Sequence, residues 1–173
     1  TNRHGRQSEA GCTGTEYIRD STGTREYKPM HLGKNDICSL IPHRGAMCLL
    51  DEVLSWDANR IVCTSRSHLS KDNPLRSEGR LRAVCGVEYA AQAMALHGAL
   101  LSAEPIAAGY LVSIRNLKLS VSYLDDQDES LTVDATRLMG GAEGLVYEFT
   151  VSARSDTLLS GRVTVSLFQG GDE

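Results

Sequence analysis

The sequence lacks the features that would assign it at once to a membrane, to secretion or to nucleic acid. No apolar run approaches the roughly 18 to 20 residues that a membrane-spanning helix needs, and no secretory signal pattern is found at the start. The basic excess typical of nucleic-acid-binding proteins is also missing, because the net charge is −4. These absences favour a cytoplasmic protein that contacts neither membrane nor nucleic acid.

Paired cysteine motifs are missing as well. No two of the five cysteines have the C-x-x-C spacing of metal and redox sites: Cys12, Cys38, Cys48, Cys63 and Cys85. Four of them lie in apolar or strand-like surroundings, which favours reduced, buried thiols over disulfides or zinc. No metal or other cofactor is therefore expected. Cys85 directly precedes an apolar helix and stays open as a nucleophile, although no base is beside it in the sequence.

What the sequence does contain is material for one core, preceded by a polar segment. With 173 residues, of which 41% are hydrophobic and 23% are charged, the chain can form one globular domain. Residues 1–34 are rich in Gly, Thr, Ser and Arg, and their apolar residues follow no period. This composition predicts a flexible N-terminal arm at 1–34 and a single domain at 35–170.

The longest apolar segment is GVEYAAQAMALHGALL, residues Gly86–Leu101. A helix that is apolar on all sides is buried, so this segment predicts a central helix enclosed by other elements. Glu88 and Gln92 lie one helical turn apart on a face that otherwise carries alanine. A buried carboxylate is costly unless it is paired or used, so Glu88 is a candidate acid in a cleft. His97 lies on the opposite face, where a core role is expected.

Strand patterns flank this helix on both sides. Before it, Asn35 or Asp36 is expected to cap a short helical turn, and strands are predicted at 47–56 and 60–69 with a turn between them. After it, the apolar parity changes within 110–124, which predicts a strand with a bulge. Alternating apolar residues then predict three further strands. One long helix against a curved antiparallel sheet predicts an α+β protein with the hotdog fold.

Two motifs resemble those of β-hydroxyacyl-(acyl carrier protein) dehydratases. IPHRGAMCLLDEVLSW, Ile41 to Trp56, resembles the L-P-H-R…L-L-x-D-x-V opening of the bacterial enzymes. NPLRSEGRLRAVCGVEYAAQAMA resembles their Pro-containing loop and the helix after it, which reads E-x-x-A-Q. SIRNLKLSVSYL is a weaker likeness to the strand that follows. The resemblance covers about 36–168 and is strongest to the dehydratase branch of aryl polyene biosynthesis clusters.

The resemblance implies removal of water from a 3-hydroxyacyl thioester on acyl carrier protein, in fatty acid or aryl polyene synthesis. The fatty-acid enzymes carry their catalytic histidine in a G-H-F-P segment fourteen residues before the helix glutamate. That position is Pro74 here, and the loop after it contains no histidine. The remaining candidates are His43 of the PHR motif and His68 at the end of the second predicted strand. His43 is preferred because the aryl polyene branch resembles the chain there, and His68 is expected at the surface.

Dehydration needs a base for the proton α to the carbonyl and an acid for the departing hydroxyl. A histidine near its ordinary pKa of about 6.5 can be the base, and a carboxyl in an apolar cleft can be the acid. We therefore expect His43 as base, Glu88 as acid and Gln92 as the residue that orients Glu88. Backbone N–H groups at Gly86 and Val87 are expected to stabilise the enolate-like charge. Two subunits of a dimer can also share such a pair.

Basic residues precede the helix and suggest a docking face. Carrier proteins are acidic, so Arg76, Arg80 and Arg82 are predicted to bind one, although a solvated loop without that role would have the same composition. The acidic run 125–129 is predicted to be a solvated turn. A homodimer, or a heterodimer with another hotdog chain, is expected.

Two other functions stay open at this stage. Hotdog thioesterases also use a helix carboxylate, in their case to activate water against the thioester. Because the G-H-F-P segment is missing, the chain could instead be a non-catalytic subunit that completes a heterodimeric dehydratase. Structural roles also remain open, since Glu88 suits a helix N-terminus and His43 could fix a turn.

Overall fold

The computed structural model describes residues 15–19, 25–29, 32–102, 109–141 and 144–167. In these ranges the chain forms two α-helices, α1 at Lys34–Leu40 and α2 at Gly86–Leu101. It also forms these strands: β1 Thr15–Arg19, β2 Arg25–Pro29, β3 Leu32–Gly33, β4 Glu52–Trp56, β5 Arg60–Ser65, β6 Gly109–Leu119, β7 Leu131–Gly141, β8 Gly144–Ala153 and β9 Asp156–Leu167. None of the helices in the described ranges is long and apolar enough to cross a membrane.

Seven of the strands form one antiparallel sheet in the order β3-β4-β5-β7-β8-β9-β6. Helix α2 packs against β5, β7 and β8 near the middle of this order. The strands alternate as predicted, and the side chains facing the core are buried: Leu131, Val133, Ala135, Tyr147, Phe149 and Val151. The predicted α+β hotdog arrangement, a sheet with one long central helix, is confirmed.

The start of α2 lies unusually close to the sheet. A Cβ atom built on Gly86 would lie 2.5 Å from Cδ2 of Leu159, which is fully buried on β9. A side chain here would force Leu159 to shift, so glycine at this position lets the helix backbone approach the strand with Leu159 in place. The helix therefore begins at a fixed depth in the core, and this fixes the depth of Glu88 in its first turn.

The two strands before α2 are shorter than the predicted ones at 47–56 and 60–69. Strand β4 begins at Glu52, because residues Gly45–Met47 form a 3-10 turn and the next three residues are buried without strand pairing. Strand β5 ends at Ser65, and Ser67–Leu69 form another 3-10 turn. Apolar residues near position 49 suggested a strand, but tertiary hydrogen bonds to α2 and β5 replace strand pairing there.

The bulge predicted after α2 is confirmed. The register between β6 and β9 shifts between Leu111 and Ser113 and again between Arg115 and Lys118. Asn116, inside the second shift, has a φ of 53°, a left-handed conformation that asparagine tolerates well. Since a bulge re-aims the side chains that follow it, the parity change in the sequence is explained.

Part of the predicted arm has regular structure. Strands β1 and β2 pair as an antiparallel hairpin, and β3 pairs with β4 of the main sheet. The sheet therefore begins at Leu32, before the predicted domain boundary at residue 35. The rest of the predicted arm, residues 1–14, 20–24 and 30–31, lies outside the described residues.

The prediction of reduced cysteines is wrong for one pair. Cys38 and Cys48 form a disulfide, with their Cα atoms 5.9 Å apart. The sequence showed no C-x-x-C spacing, but α1 and the turn after it return the chain upon itself and bring the two residues together. Cys63 and Cys85 are free thiols, as predicted, and Cys12 lies outside the described residues.

Candidate active site

The loop that carries His43 is held rigidly against α1. The disulfide between Cys38 and Cys48 closes this loop, residues 38–48. Inside it, Nη1 of Arg44 donates to the carbonyl oxygens of Cys38, Ile41 and His43 at 2.8, 2.7 and 2.9 Å. One guanidinium therefore satisfies three carbonyls that the end of α1 and the following turn would leave without partners. The backbone at His43 is fixed from both sides.

His43 and Glu88 lie in contact within one chain. The distance from Nε2 of His43 to Oε1 of Glu88 is 3.1 Å, and the two side chains are 27% and 32% exposed. The Nδ1 atom of His43 is buried and has no hydrogen-bond partner in the described part of the chain. Nε2 is thus the nitrogen that faces the carboxyl group of Glu88.

Gln92 makes a hydrogen bond to Glu88, the contact that its predicted orienting role requires, and that role stays a prediction. Its Nε2 donates to Oε1 of Glu88 at 3.0 Å and to the carbonyl oxygen of Met47 at 2.7 Å. Its Oε1 accepts from the backbone N–H of Leu49 at 2.9 Å. Because an N–H can only donate, the bond from Leu49 fixes which end of the amide faces Glu88. Gln92 is fully buried, so these bonds tie α2 to the loop that carries His43.

The structure does not support the predicted role of the Gly86 N–H as a donor to an oxyanion. The N–H of Gly86 donates to the carbonyl oxygens of Ala83 and Val84, because a 3-10 turn at Ala83–Cys85 runs directly into α2. This N–H is therefore not free to stabilise an oxyanion. Val87 follows in the first turn and is 8% exposed. Its role as a backbone donor stays a prediction.

The other two histidines of the described domain are core residues. His97 is fully buried; its Nδ1 lies 2.9 Å from the hydroxyl of Tyr147 and its Nε2 lies 2.7 Å from the carbonyl oxygen of Asp57. The predicted core role of His97 is confirmed. His68 is also fully buried, with Nε2 3.0 Å from the carbonyl oxygen of Gln127, so its predicted surface position is wrong. Because β5 ends early, His68 falls on a turn that folds inward.

Two of the three predicted docking arginines form ion pairs with acidic residues of the same chain. Nη1 of Arg76 and Nε of Arg80 lie 3.0 and 2.9 Å from the same oxygen of Asp125. Asp125 also accepts from the N–H of Leu81 at 3.0 Å, and Arg80 reaches Asp126 at 2.5 Å. Burial acts to raise the pKa of Asp125, but these hydrogen bonds outweigh it and the pKa is lowered. The Asp125 side chain is thus a largely enclosed anchor, 10% exposed, which corrects the predicted solvated turn at this residue, whereas residues 126, 128 and 129 are exposed as predicted.

Arg82 differs from its two neighbours. It is exposed, makes no ion pair in the described ranges, and its guanidinium carbon lies 6.0 Å from the ring centre of Tyr123. The guanidinium of Arg80 covers the same ring at 3.9 Å. Of the predicted docking residues, Arg82 therefore has the charge most available to a partner.

Neither a metal centre nor an activated thiol is found near this pair. Within the described part of the chain, no three His, Cys, Asp or Glu side chains are grouped as a metal site would require. Burial raises the pKa of the Cys85 thiol, so this residue is poorly ionised at neutral pH. The two ionisable side chains in contact here are His43 and Glu88, which are groups that can transfer protons.

The sequence did not predict that backbone groups near residue 49 form hydrogen bonds to Gln92. The carbonyl of Met47 and the N–H of Leu49 hold Gln92, yet backbone groups carry no sequence signal. Tyr89 was visible in the motif G-x-E-Y-x-A-Q, but no role could be assigned to it because its partners come from distant segments. Those partners are Ser67 and Asn73.

Known proteins of similar sequence or structure have the same fold as this chain. A family model described as ApeP-like, ApeP dehydratase, matches residues 35–170. The dehydratase heterocomplex ApeI:P from Xenorhabdus doucetiae is similar in structure, with a TM-score of 0.70 and 21% identity over 78% of this chain and 91% of that chain. The thioesterase HI1161 from Haemophilus influenzae has a TM-score of 0.58 and 16% identity over 79% and 91% of the two chains.

A third similar structure is an HP0420-homologue from Helicobacter felis, with a TM-score of 0.54 and 15% identity over 77% of this chain and 88% of that one. At such identities these structures share the fold with this chain, and dehydratases and thioesterases both have it. A comparison with curated protein sequences gave no match.

Proposed function

The chain belongs to the ApeP-like dehydratase family, and from the contact between His43 and Glu88 we propose that it removes water from 3-hydroxyacyl thioesters. The observation that carries this proposal is the 3.1 Å distance between Nε2 of His43 and Oε1 of Glu88. Both groups come from one chain, so the pair itself forms without residues of a second subunit. We infer that the substrate is held on acyl carrier protein, as in fatty acid or aryl polyene synthesis.

The pair can perform dehydration with a single shared proton. When that proton is on Glu88, His43 is neutral and can remove the proton α to the thioester carbonyl. Glu88 gives its proton to the β-hydroxyl, the carbon–oxygen bond breaks, and water leaves. The products are an α,β-unsaturated thioester, a protonated His43 and an ionised Glu88. The two side chains are in contact and partly exposed, so His43 gives up its proton and Glu88 regains one, directly or through solvent, and the starting state is restored.

Replacing each member of the pair tests the proposal. We expect Glu88→Gln and His43→Ala to lower kcat by about 100-fold or more on a 3-hydroxyacyl carrier substrate, since general acid or base catalysis contributes about that much. Loss of water is measured by mass, and free thiol is titrated in the same samples. Glu78→Gln, an exposed change in the loop before α2, is the matched control and should keep full activity.

Three experimental results would contradict or change the proposed dehydratase function. Unchanged turnover in both variants contradicts the roles of His43 and Glu88. Release of free thiol without loss of water indicates a thioesterase, the reaction of the similar Haemophilus influenzae protein. Activity that requires a second hotdog chain, with none for the chain alone, indicates a subunit of a heterodimer.

A hotdog partner is part of the proposal. Strand β6 lies at one edge of the sheet, where its backbone is paired on one side, to β9. It carries apolar side chains that face solvent: Leu111, Val112, Ile114 and Leu119, of which Val112 is 62% exposed. An apolar edge strand is a surface that pairs with another chain. The similar ApeI:P structure is a heterocomplex, which supports pairing with a second hotdog chain.

Docking of the carrier protein is proposed at Arg82, with Arg76 and Arg80 building the loop beneath it. Reversing the charge with Arg82→Glu should raise KM for a carrier-bound substrate about tenfold and leave KM for a small thioester mimic unchanged. Arg154→Glu, at the turn between β8 and β9, is the control with the same charge change. Equal effects of Arg82→Glu on both substrates would contradict docking at this residue.

A further inference from the structure

We propose that Tyr89 is a positioning residue for Glu88, and that it acts through a chain of buried hydrogen bonds pointing in one direction. This inference rests on the proposed function, because it concerns the same carboxyl group. This chain of hydrogen bonds begins at Asn73 and passes through Tyr89, Ser67 and Ser65 to the peptide group of Leu49. From there it continues through Gln92 to Glu88. The turn that carries Asn73 thereby supports a carboxyl group that it does not touch.

The direction of each bond in the first half follows from chemistry alone. The Oγ of Ser65 lies 2.5 Å from the carbonyl oxygen of Leu49, which can only accept, so Ser65 donates its one proton there. Ser65 must then accept from the hydroxyl of Ser67 at 3.0 Å. Ser67, having donated, accepts from the hydroxyl of Tyr89 at 2.9 Å. Tyr89 in turn accepts from Nδ2 of Asn73 at 2.9 Å.

The peptide group of Leu49 joins this half to the active site. Its carbonyl accepts from Ser65, and its N–H donates to Oε1 of Gln92 at 2.9 Å. Gln92 then donates to Oε1 of Glu88 at 3.0 Å. Every donor thus points toward the carboxyl group. Hydrogen bonds arranged head to tail polarise one another, so each donor strengthens the next.

Most of this hydrogen-bond chain is enclosed in the core, and Ser67 is half-buried. Ser65, Tyr89 and Gln92 are fully buried, and Asn73 is 5% exposed. Water cannot replace a lost partner at such sites, so the loss of one hydroxyl leaves its neighbours unsatisfied. Burial also raises the pKa of Tyr89, which keeps the proton that it donates. Asn73 is itself fixed, because its Oδ1 accepts from the N–H of Leu75 at 3.0 Å.

For catalysis the consequence is a fixed carboxyl orientation. Oε1 of Glu88 is occupied by Gln92 and His43, and Oε2 has no hydrogen bond to any other described residue. Oε2 is therefore the oxygen presented to the hydroxyl of the substrate. When Tyr89 no longer donates, the residue 49 peptide and Gln92 lose part of their alignment, and the orientation of Glu88 loosens.

The test compares two buried tyrosines in the same core. Tyr89→Phe removes the hydroxyl inside the chain, whereas Tyr147→Phe removes a hydroxyl that bonds to His97, outside it. We expect Tyr89→Phe to lower kcat about fivefold with KM unchanged, as for loss of one hydrogen bond, and Tyr147→Phe to keep the kcat of the wild type. The side-chain amide resonances of Gln92, followed by NMR, should shift in Tyr89→Phe and stay in place in Tyr147→Phe.

A shift of the Gln92 resonances together with the lower kcat supports the inference. Gln92 resonances that Tyr89→Phe leaves in place show that no such chain exists and overturn it, whatever the activity. If they shift while kcat stays at the wild-type value, and Glu88→Gln is inactive, Tyr89 does not position Glu88 and the proposed function stands. Full activity of Glu88→Gln would overturn both the proposed function and the inference.

Discussion

Gly86 shows how one residue sets the depth of the site. A side chain there would meet the buried Leu159, with its Cβ 2.5 Å from Cδ2 and 2.8 Å from Cδ1. Sequence reasoning assigned Gly86 to oxyanion stabilisation, but its N–H is already bonded to the preceding turn. The position favours a residue without a side chain, because α2 can then approach β9 without displacing Leu159.

Replacing Gly86 by alanine should therefore destabilise the protein. We expect Gly86→Ala to lower the free energy of unfolding by about 1–3 kcal/mol, the usual cost of overpacking a core. Urea titration followed by circular dichroism measures it. Gly33→Ala is the control, because the nearest atom to a Cβ there is 4.0 Å away, and it should cost less than about 1 kcal/mol. A Gly86→Ala protein as stable as Gly33→Ala would show that Leu159 can move aside.

At the scale of elements, the segment between α1 and β4 is held by covalent and polar links in place of strand pairing. The disulfide closes residues 38–48, and Arg44 bonds three carbonyls within that loop. The same loop carries His43, and Gln92 reaches it from α2. The loop and the first two turns of α2 thus behave as one unit around Glu88.

Reduction of the disulfide should weaken this unit. For a closed loop of this length we expect the free energy of unfolding to fall by about 3 kcal/mol when dithiothreitol is added. Chemical denaturation with and without the reductant measures the change. Cys38→Ser should have the reduced stability under both conditions, and a response of this variant to dithiothreitol would assign the effect to another cysteine.

Over the whole molecule, two buried histidines couple stability to pH. The pKa values of His68 and His97 are lowered, in both cases mainly because burial disfavours the charged ring. The unfolded chain therefore binds protons that the folded protein excludes. The free energy of unfolding is therefore unaffected by these histidines above the ordinary histidine pKa of about 6.5. It decreases as the pH falls from there toward the lowered pKa values of the folded protein.

Acid should accordingly destabilise the protein before the carboxylates titrate. Between pH 7.5 and 5 we expect the free energy of unfolding to fall with a slope of up to about 1.4 kcal/mol per pH unit for each histidine. Urea titrations at a series of pH values measure the slope. A variant with His97→Gln should lose about half of it, whereas stability that rises toward pH 5 would contradict the sign.

Local pattern and composition were sufficient to predict several helices, strands and site residues. The apolar segment predicted α2 with its observed bounds, alternation predicted the strands that follow, and the parity change predicted the bulge in β6. Glu88 and Gln92 were found together because a helix places residues four apart on one face. His43 was chosen from its motif, and the structure places it against Glu88.

Contacts between residues far apart in the chain could not be predicted from pattern and became visible in the folded protein. It joined Cys38 to Cys48, buried His68, and paired Arg76 and Arg80 with Asp125. It also linked Tyr89 to the residue 49 peptide through side chains of other segments. Periodicity reports which face of an element is apolar, but a hydrogen bond, an ion pair or a disulfide requires two positions to meet, and that is set by how the elements pack.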